Sequence, residues 1–203
     1  MYVPYFRGKE GGMINFRRQA MMMSQRYLKV PFIENKSIAY IKAIDSTENI
    51  YRVELIYDFY GYGNDNFLNG ISYQLYISGN MLRNNATGYG FNVYEQVSSK
   101  PMKISLFYTN GKEYCTINNG SPITLEESHH IGPYLPFGLF SYIYPDNRVL
   151  FVRGRLYGCK MYDANNVIVK DFVPAIDLFL GKKGLLEVVE DKFYTSPNGV
   201  DFS

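Results

Sequence analysis

The sequence predicts an all-β chain built as a two-sheet antiparallel sandwich. Strand-length apolar alternations, separated by Gly-, Asn- and Pro-rich turns, recur along most of the chain without a long helical pattern between them. The composition favours the same class, because 20 Tyr and 14 Phe among 203 residues suit pleated, half-buried surfaces. No internal repeat is visible, which argues against a propeller or a solenoid.

The first 35 residues predict a basic N-terminal arm. Residues 1–36 carry seven Lys or Arg and two Glu, a net charge of +5, whereas residues 37–203 carry 14 bases and 17 acids, a net charge of −3. This asymmetry is typical of a docking segment, although a solvated tail explains it equally well. Good helix formers between Ile14 and Leu28 favour one short helix.

Basic and Met side chains are expected to make this arm an assembly device. Met is a flexible apolar filler, so an exposed triple Met would contact a partner. The predicted assembly residues are Arg17, Arg18, Met21, Met22, Met23 and Arg26. Nucleic acid is a weaker alternative, because the bases are scattered rather than packed into one run.

The body, residues 36–203, continues with strands. Residues 50–59 alternate well, with charged residues largely on the second face, as in a half-buried antiparallel strand. The predicted apolar face consists of Tyr51, Val53, Leu55, Tyr57 and Phe59. A Gly/Asn-rich loop at 61–70 and a further alternation at 71–78 follow.

The clearest local prediction is a hairpin. Residues Lys103–Thr109 and Lys112–Asn118 flank Asn110-Gly111, the dipeptide that suits a tight type I′ turn. Downstream, "LFSYIY" predicts one strand over residues 139–144, and it is followed by an apolar run over residues 148–162.

A second hairpin is predicted between Gly154 and Asp177. Tyr157, Cys159 and Met161 are expected to share one face, and the Asp/Asn-rich break at 163–166 tolerates left-handed backbone. The returning run is expected to end at Pro174, which lacks a ladder donor. Its apolar density indicates a core hairpin rather than a chemical site.

This region resembles a known family. "GRLYGCKMYD", "VKDFVPA" and "DKFYTSPNG" between residues 154 and 199 are similar to the closing strands of concanavalin A-like, LamG-like jelly-roll domains of gut bacteria and their phages. Lys170 stands where that subgroup usually has Arg, and "GLLEVVED" replaces its usual "GLYD". The body is also longer than a minimal immunoglobulin-type domain of about 100 residues and suits a jelly roll.

The resemblance implies a non-enzymatic structural protein of a phage virion, on a head or tail fibre, contacting other virion proteins or copies of itself through the arm. The alternative is a carbohydrate-binding module of a gut bacterium or its phage, and a degenerate glycan hydrolase is a weaker third reading. No signal peptide or membrane-spanning run is expected, and localisation in the virion is predicted. Cys115 and Cys159 are expected to be free core thiols, with one bridge between them as the alternative.

Neither a catalytic residue nor a metal site is predicted. No E-x-D-x-E pattern supplies the paired carboxylates of a glycosidase, and Glu187, Glu190 and Asp191 have the wrong spacing for one strand face. His129 and His130 are adjacent, so in a strand they would point to opposite faces. No cofactor is expected; calcium at Asp65 with its flanking Asn residues is only a weak possibility.

A host glycan would be held by aromatic platforms with Asn and Asp as hydrogen-bond partners. The candidates are Tyr60, Tyr62, Asn64, Asp65, Tyr89 and Tyr94. The absence of Trp counts mildly against a lectin.

Overall fold

A computed structural model describes residues 26–60, 66–69, 74–78, 81–86, 89–96, 101–110, 112–127, 136–143 and 149–203. Every regular element in these residues is a β-strand and every pair is antiparallel, which confirms the all-β prediction. The strands are β1 (Tyr27–Lys29), β2 (Ile33–Asn35), β3 (Ile41–Ile44), β4 (Arg52–Phe59), β5 (Asn66–Asn69), β6 (Gln74–Ser78), β7 (Met81–Ala86), β8 (Tyr89–Gln96), β9 (Met102–Thr109), β10 (Lys112–Ile117), β11 (Ile123–Glu127), β12 (Phe137–Leu139), β13 (Ser141–Ile143), β14 (Val149–Phe151), β15 (Gly154–Tyr162), β16 (Ile168–Asp177), β17 (Lys182–Glu187) and β18 (Lys192–Tyr194).

Ten of these strands form one large sheet. Its order is β11-β10-β9-β4-β15-β16-β17-β18, with β1 beside β16 and β2 beside β15. Smaller sheets pair β3 with β12, pair β13 with β14, and join β5 to β8 in sequence order. Antiparallel sheets around a shared core are consistent with a β-sandwich.

The core lies on one face of the large sheet. In β4, Val53, Leu55 and Tyr57 are buried, as their alternation predicts. Ile41 of β3 and Phe137 of β12 belong to the same buried cluster. Burying a large apolar side chain contributes roughly 1.5–3 kcal/mol, so this face supplies much of the stability of the fold.

The Asn110-Gly111 hairpin is confirmed. β9 and β10 pair from Thr109 opposite Lys112 to Ile104 opposite Ile117. Asn110 has a φ of 52°, the left-handed conformation that the first position of a type I′ turn requires. Cys115 and Cys159 are buried thiols that are not joined by a disulfide, also as predicted.

The N-terminal boundary of the body differs from the prediction. β1 pairs with β16 and β2 pairs with β15, so residues 27–35 belong to the large sheet rather than to an arm. Tyr27 and Leu28 lie in a strand, not at the end of a helix. Residues 26–35, called the wedge below, fill the gap where β15 and β16 diverge, a long-range pairing that local propensity does not reveal. The rest of the predicted helix and arm lies outside the described residues.

Pro174 does not end its strand as predicted, because β16 continues to Asp177. On one side, β16 pairs with β15 up to Phe172 and with β1 from Ala175 onward. Pro174 therefore lies between two neighbours, where no ladder donor is needed. Its carbonyl still accepts a 3.0 Å hydrogen bond from the Val30 N–H.

Tyr157 does not share a face with Cys159 and Met161. The register between β15 and β4 shifts between Leu156 and Gly158, a β-bulge that leaves Tyr157 as the extra residue. Leu156 takes its place on the core side and is fully buried. The break at 163–166 is confirmed, since Asn166 has a φ of 64° and the Asp163 carboxylate accepts N–H bonds from Asn165 and Val167.

The predicted strand at 139–144 is interrupted at Phe140. This buried residue has a φ of 61°, which is costly for a residue with a bulky side chain. Its ring packs against Tyr57 at 5.5 Å and against Phe202 at 5.2 Å between centroids. These contacts hold the backbone there and separate β12 from β13.

Candidate functional site on the outer face of the large sheet

The structure describes only part of the predicted site residues. Tyr60 follows β4 and is described with its side chain, whereas Tyr89 and Tyr94 lie in β8, of which only the backbone is described. The predicted residues outside the described ranges are Arg17, Arg18, Met21, Met22, Met23, Tyr62, Asn64 and Asp65. Arg26 begins the wedge and pairs with Asp177 at 2.9 Å.

The face of the large sheet opposite the core, called the outer face, carries a row of aromatic and basic side chains. Strand registers place Tyr114 opposite Phe107, Phe107 opposite Arg52, and Arg52 opposite Tyr162. The Phe107 and Tyr114 rings stack with centroids 5.3 Å apart and planes 14° apart. Both residues are half-buried, so part of this aromatic stack is accessible to a ligand.

Arg52 occupies the middle of this row. Its guanidinium lies 3.8 Å from the centroid of the Tyr162 ring, a close cation–π contact. Arg52 Nε is 3.7 Å from Glu54 Oε1, which is an ion pair but too long for a hydrogen bond. This Nε is buried and has no hydrogen-bond partner among the residues that the structure describes.

Tyr51 lines two cavities in the described part of the chain, and the first of them adjoins this row. The first, of about 320 Å³, is called the Arg52 cleft and is lined by Arg52, Ser105, Phe107, Tyr108, Asp163 and Asn166, among others. The second, of about 530 Å³, includes Ile50, Asn49, Asn165 and Lys170 in its lining. Cavities that combine aromatic walls with a few polar groups suit small polar ligands.

A second arginine on the outer face has a different environment. Arg155 of β15 lies between Glu34 of β2 and Asp58 of β4 in the strand register. Arg155 Nε donates a 3.1 Å hydrogen bond to Glu34 Oε1, and the Tyr60 hydroxyl donates to the same carboxylate oxygen. Lys36 pairs with Glu34 Oε2 at 2.8 Å. Tyr60, a predicted sugar platform, is thus held in an ion-pair cluster.

The pKa values reflect this cluster. Burial alone raises the pKa of Glu34, but hydrogen bonds from Lys36, Tyr60 and Arg155 outweigh it and lower the pKa from 4.5 to about 2. Burial raises the pKa of Asp58, and Arg155 offsets only part of that shift. Glu34 is therefore ionised at neutral pH, as the central acceptor of the cluster.

Glu187 and Glu190, whose spacing does not suit a glycosidase, make local structural contacts. The buried Glu187 carboxylate accepts N–H bonds from Asp171, Val189 and Glu190, and Glu190 itself pairs with Lys170. Within the described ranges no three His, Cys, Asp or Glu side chains are grouped to hold a metal ion. What the outer face offers chemically is hydrogen bonding, charge and aromatic stacking.

Sequence reasoning missed the aromatic row, although part of it was accessible. A two-residue turn at Asn110-Gly111 fixes Phe107 opposite Tyr114 by counting back from the turn. The pairing of Phe107 with Arg52 and of Arg52 with Tyr162 joins segments far apart in sequence. No local signal identifies those partners.

In the part of the chain that is described, no helix is both long and apolar enough to cross a membrane. A scan of protein-family models finds no match to the chain. A search of curated proteins finds no matching sequence either.

Proposed function

We propose that this protein is a non-enzymatic structural component of a phage virion, displaying a concanavalin A-like, LamG-like jelly roll that its N-terminal segment anchors to other subunits. The N-terminal segment is here residues 1–25. One observation carries the proposal: the wedge, which follows this segment directly, pairs with β15 and β16 of the large sheet. The sequence resemblance over residues 154–199 supports the assignment of the particle as a phage virion.

The attachment point is held by several contacts. The Leu178 N–H donates a 2.9 Å hydrogen bond to the Arg26 carbonyl. Arg26 Nε and Nη2 both donate to Asp177 Oδ2, at 3.1 and 2.9 Å. Since the Asp177 side chain is fully buried, this pair is geometrically constrained. Arg26, the first described residue, is therefore fixed at the end of β16.

An apolar surface lies next to that point. Leu178, Phe179 and Leu180 form the turn after β16 and are 53%, 63% and 60% exposed. Three consecutive exposed apolar residues are unusual away from an interaction site. The exposed turn is suited to docking on another subunit, and it lies beside the point where the basic, Met-containing N-terminal segment joins the described chain.

Light scattering tests this proposal on the full chain and on a chain lacking residues 1–25. A longer deletion to residue 30 would also remove β1, so it would damage the sheet itself. We expect an assembly for the full chain and a folded monomer for the truncated one. Two folded monomers would contradict self-assembly and leave only docking on a different virion protein.

Substitutions in the apolar turn give a second test. We expect Phe179→Ser with Leu180→Ser to weaken the same assembly. A matched control is Val188→Ser with Val189→Ser, because these exposed apolar residues lie in the turn at the other end of β17. If both double variants weaken assembly equally, the loss would reflect a general decrease in surface hydrophobicity and not a contact made by the turn after β16.

Glycan binding is the second candidate function, and the aromatic row beside the Arg52 cleft favours it. Stacked aromatic rings next to polar side chains are the combination that holds a sugar ring. A glycan array probed with the full chain, and with Phe107→Ala, tests this role. Binding that survives Phe107→Ala would place the sugar elsewhere.

A further inference from the structure

The N–H groups of Arg52 are poorly used by the protein. Buried polar groups in native proteins nearly always have hydrogen-bond partners, yet Arg52 Nε has none among the described residues. The Arg52 side chain as a whole is 30% exposed, so part of it is open to a ligand. Its closest ionic contact is Glu54 Oε1 at 3.7 Å. Stacking on Tyr162 holds the guanidinium in place without occupying its donors.

The carboxylates described near Arg52 do not hydrogen-bond its guanidinium. Glu54 Oε2 accepts a 3.3 Å hydrogen bond from the Tyr162 hydroxyl and lies 3.9 Å from Lys103 Nζ, so Glu54 interacts with two cations. Asp163 also lines the cleft, and its Oδ1 accepts two backbone N–H bonds of its own turn. The Arg52 guanidinium therefore lies at the cleft with donors that the described carboxylates do not use.

An aromatic surface adjoins the cation. Phe107 lines the Arg52 cleft and stacks on Tyr114, opposite Arg52 in the strand register. The same cleft includes Ser105 and Asn166, which supply further hydrogen-bonding groups. A ligand that fits this arrangement needs an apolar ring face, several hydroxyls and one anionic group close to the ring.

We propose that the Arg52 cleft binds a carboxylated pyranose, with the carboxylate on the Arg52 guanidinium and the sugar ring against Phe107. Arg recognises carboxylates through paired, charge-assisted hydrogen bonds. This inference rests on the glycan-binding role given above as the second candidate function and specifies its ligand class. Uronic and sialic acids share the required chemistry.

Calorimetric titration of the full chain distinguishes this inference from glycan binding in general. The probes are methyl glucuronide, methyl glucoside, the methyl glycoside of N-acetylneuraminic acid, and the methyl ester of that glycoside. We expect at least one acid to bind about tenfold or more tightly than its neutral counterpart, with an affinity that falls as salt rises.

Variants then locate the contact. Arg52→Gln is expected to lower acid affinity about ten- to a hundredfold, as the loss of a charged hydrogen bond does, and to leave neutral binding unchanged. Arg52→Lys restores part of the loss. The control is Lys160→Gln, which removes a cation of the outer face that is paired with Asp171 at 3.6 Å; it should preserve the preference for acid.

The outcomes separate the two levels of the proposal. Equal binding of acid and neutral probes, unaffected by Arg52→Gln, overturns the carboxylate assignment and leaves the glycan role intact. Absence of binding to all four probes and to a glycan array overturns both. Loss of acid preference in Lys160→Gln as well as in Arg52→Gln overturns the assignment to Arg52 in favour of a diffuse charge effect.

Discussion

Two arginines on the same face of the large sheet differ in how fully the protein uses them. Arg155 donates a hydrogen bond to the buried Glu34, and its guanidinium lies 4.6 Å from the Phe32 ring centroid. Arg52 stacks on Tyr162 in a similar way, but its buried Nε donates no hydrogen bond to any described residue. A polar network with its partners in place stabilises a fold, whereas a positioned guanidinium with unused donors can hydrogen-bond a ligand. The difference distinguishes a structural end of the outer face from the end at which we propose binding.

The largest expected effect is at Gly154, next to Arg155. This residue has a φ of 152°, and an added Cβ would collide with the Asp58 carbonyl oxygen and lie 2.7 Å from Tyr57 Cε1. Gly154→Ala should lower the free energy of unfolding by about 3–5 kcal/mol, from steric overlap and backbone strain. Denaturant titration measures it. Gly199→Ala is the control, because its φ is 77° but no atom lies within 4 Å of the added Cβ; it should cost about 1 kcal/mol.

Removing the charge of Glu34 is expected to be the next largest effect. Glu34→Gln leaves Arg155 and Lys36 without their shared carboxylate. The free energy of unfolding should fall by about 2–3 kcal/mol at pH 7, since both cations are partly exposed and water screens part of the loss. Thermal unfolding measures the change. A variant as stable as wild type would show that the Arg155 cluster is no more structural than Arg52.

The pH dependence of stability offers an independent test of Glu34. Its pKa is about 2 in the folded protein and 4.5 in the reference state, so its contribution is present above about pH 4.5 and is lost as the pH falls towards 2. The difference in unfolding free energy between wild type and Glu34→Gln should therefore shrink over this range. Taking the difference between the two proteins cancels the contribution of the other carboxylates, because these titrate in both. A constant difference from pH 6 to pH 2.5 would contradict the lowered pKa.

Elements whose structure is determined locally could be predicted from the sequence. Asn110-Gly111 fixes a hairpin by its turn chemistry, and the alternation of β4 identifies the buried Val53, Leu55 and Tyr57. Contacts between distant segments could not be predicted. The wedge places Glu34 against Arg155, which lies 121 positions later in the sequence. The charge pattern instead assigns the wedge residues to an arm.

The bulge at Tyr157 and the break at Phe140 have the same origin. Each departs from a locally good strand pattern because tertiary contacts outweigh it, such as the packing of Phe140 against Tyr57 and Phe202. The outer face follows this rule too. The contact of Tyr60 with Glu34 and the pairing of Phe107 with Arg52 depend on strand order, which no local pattern reveals.

The smallest expected effect is that of Arg52→Gln on stability. The substitution removes a cation–π contact worth about 0.5–1 kcal/mol and a partly exposed ion pair worth about 0–1 kcal/mol. It also removes a buried Nε that hydrogen-bonds no described residue, which offsets part of the loss. We therefore expect the free energy of unfolding to change by less than about 1 kcal/mol at pH 7. Denaturant titration of Arg52→Gln and Glu34→Gln under the same conditions measures both changes in unfolding free energy. A loss as large as that of Glu34→Gln would make Arg52 a second structural arginine, because only a group already satisfied by the protein can contribute so much to folding.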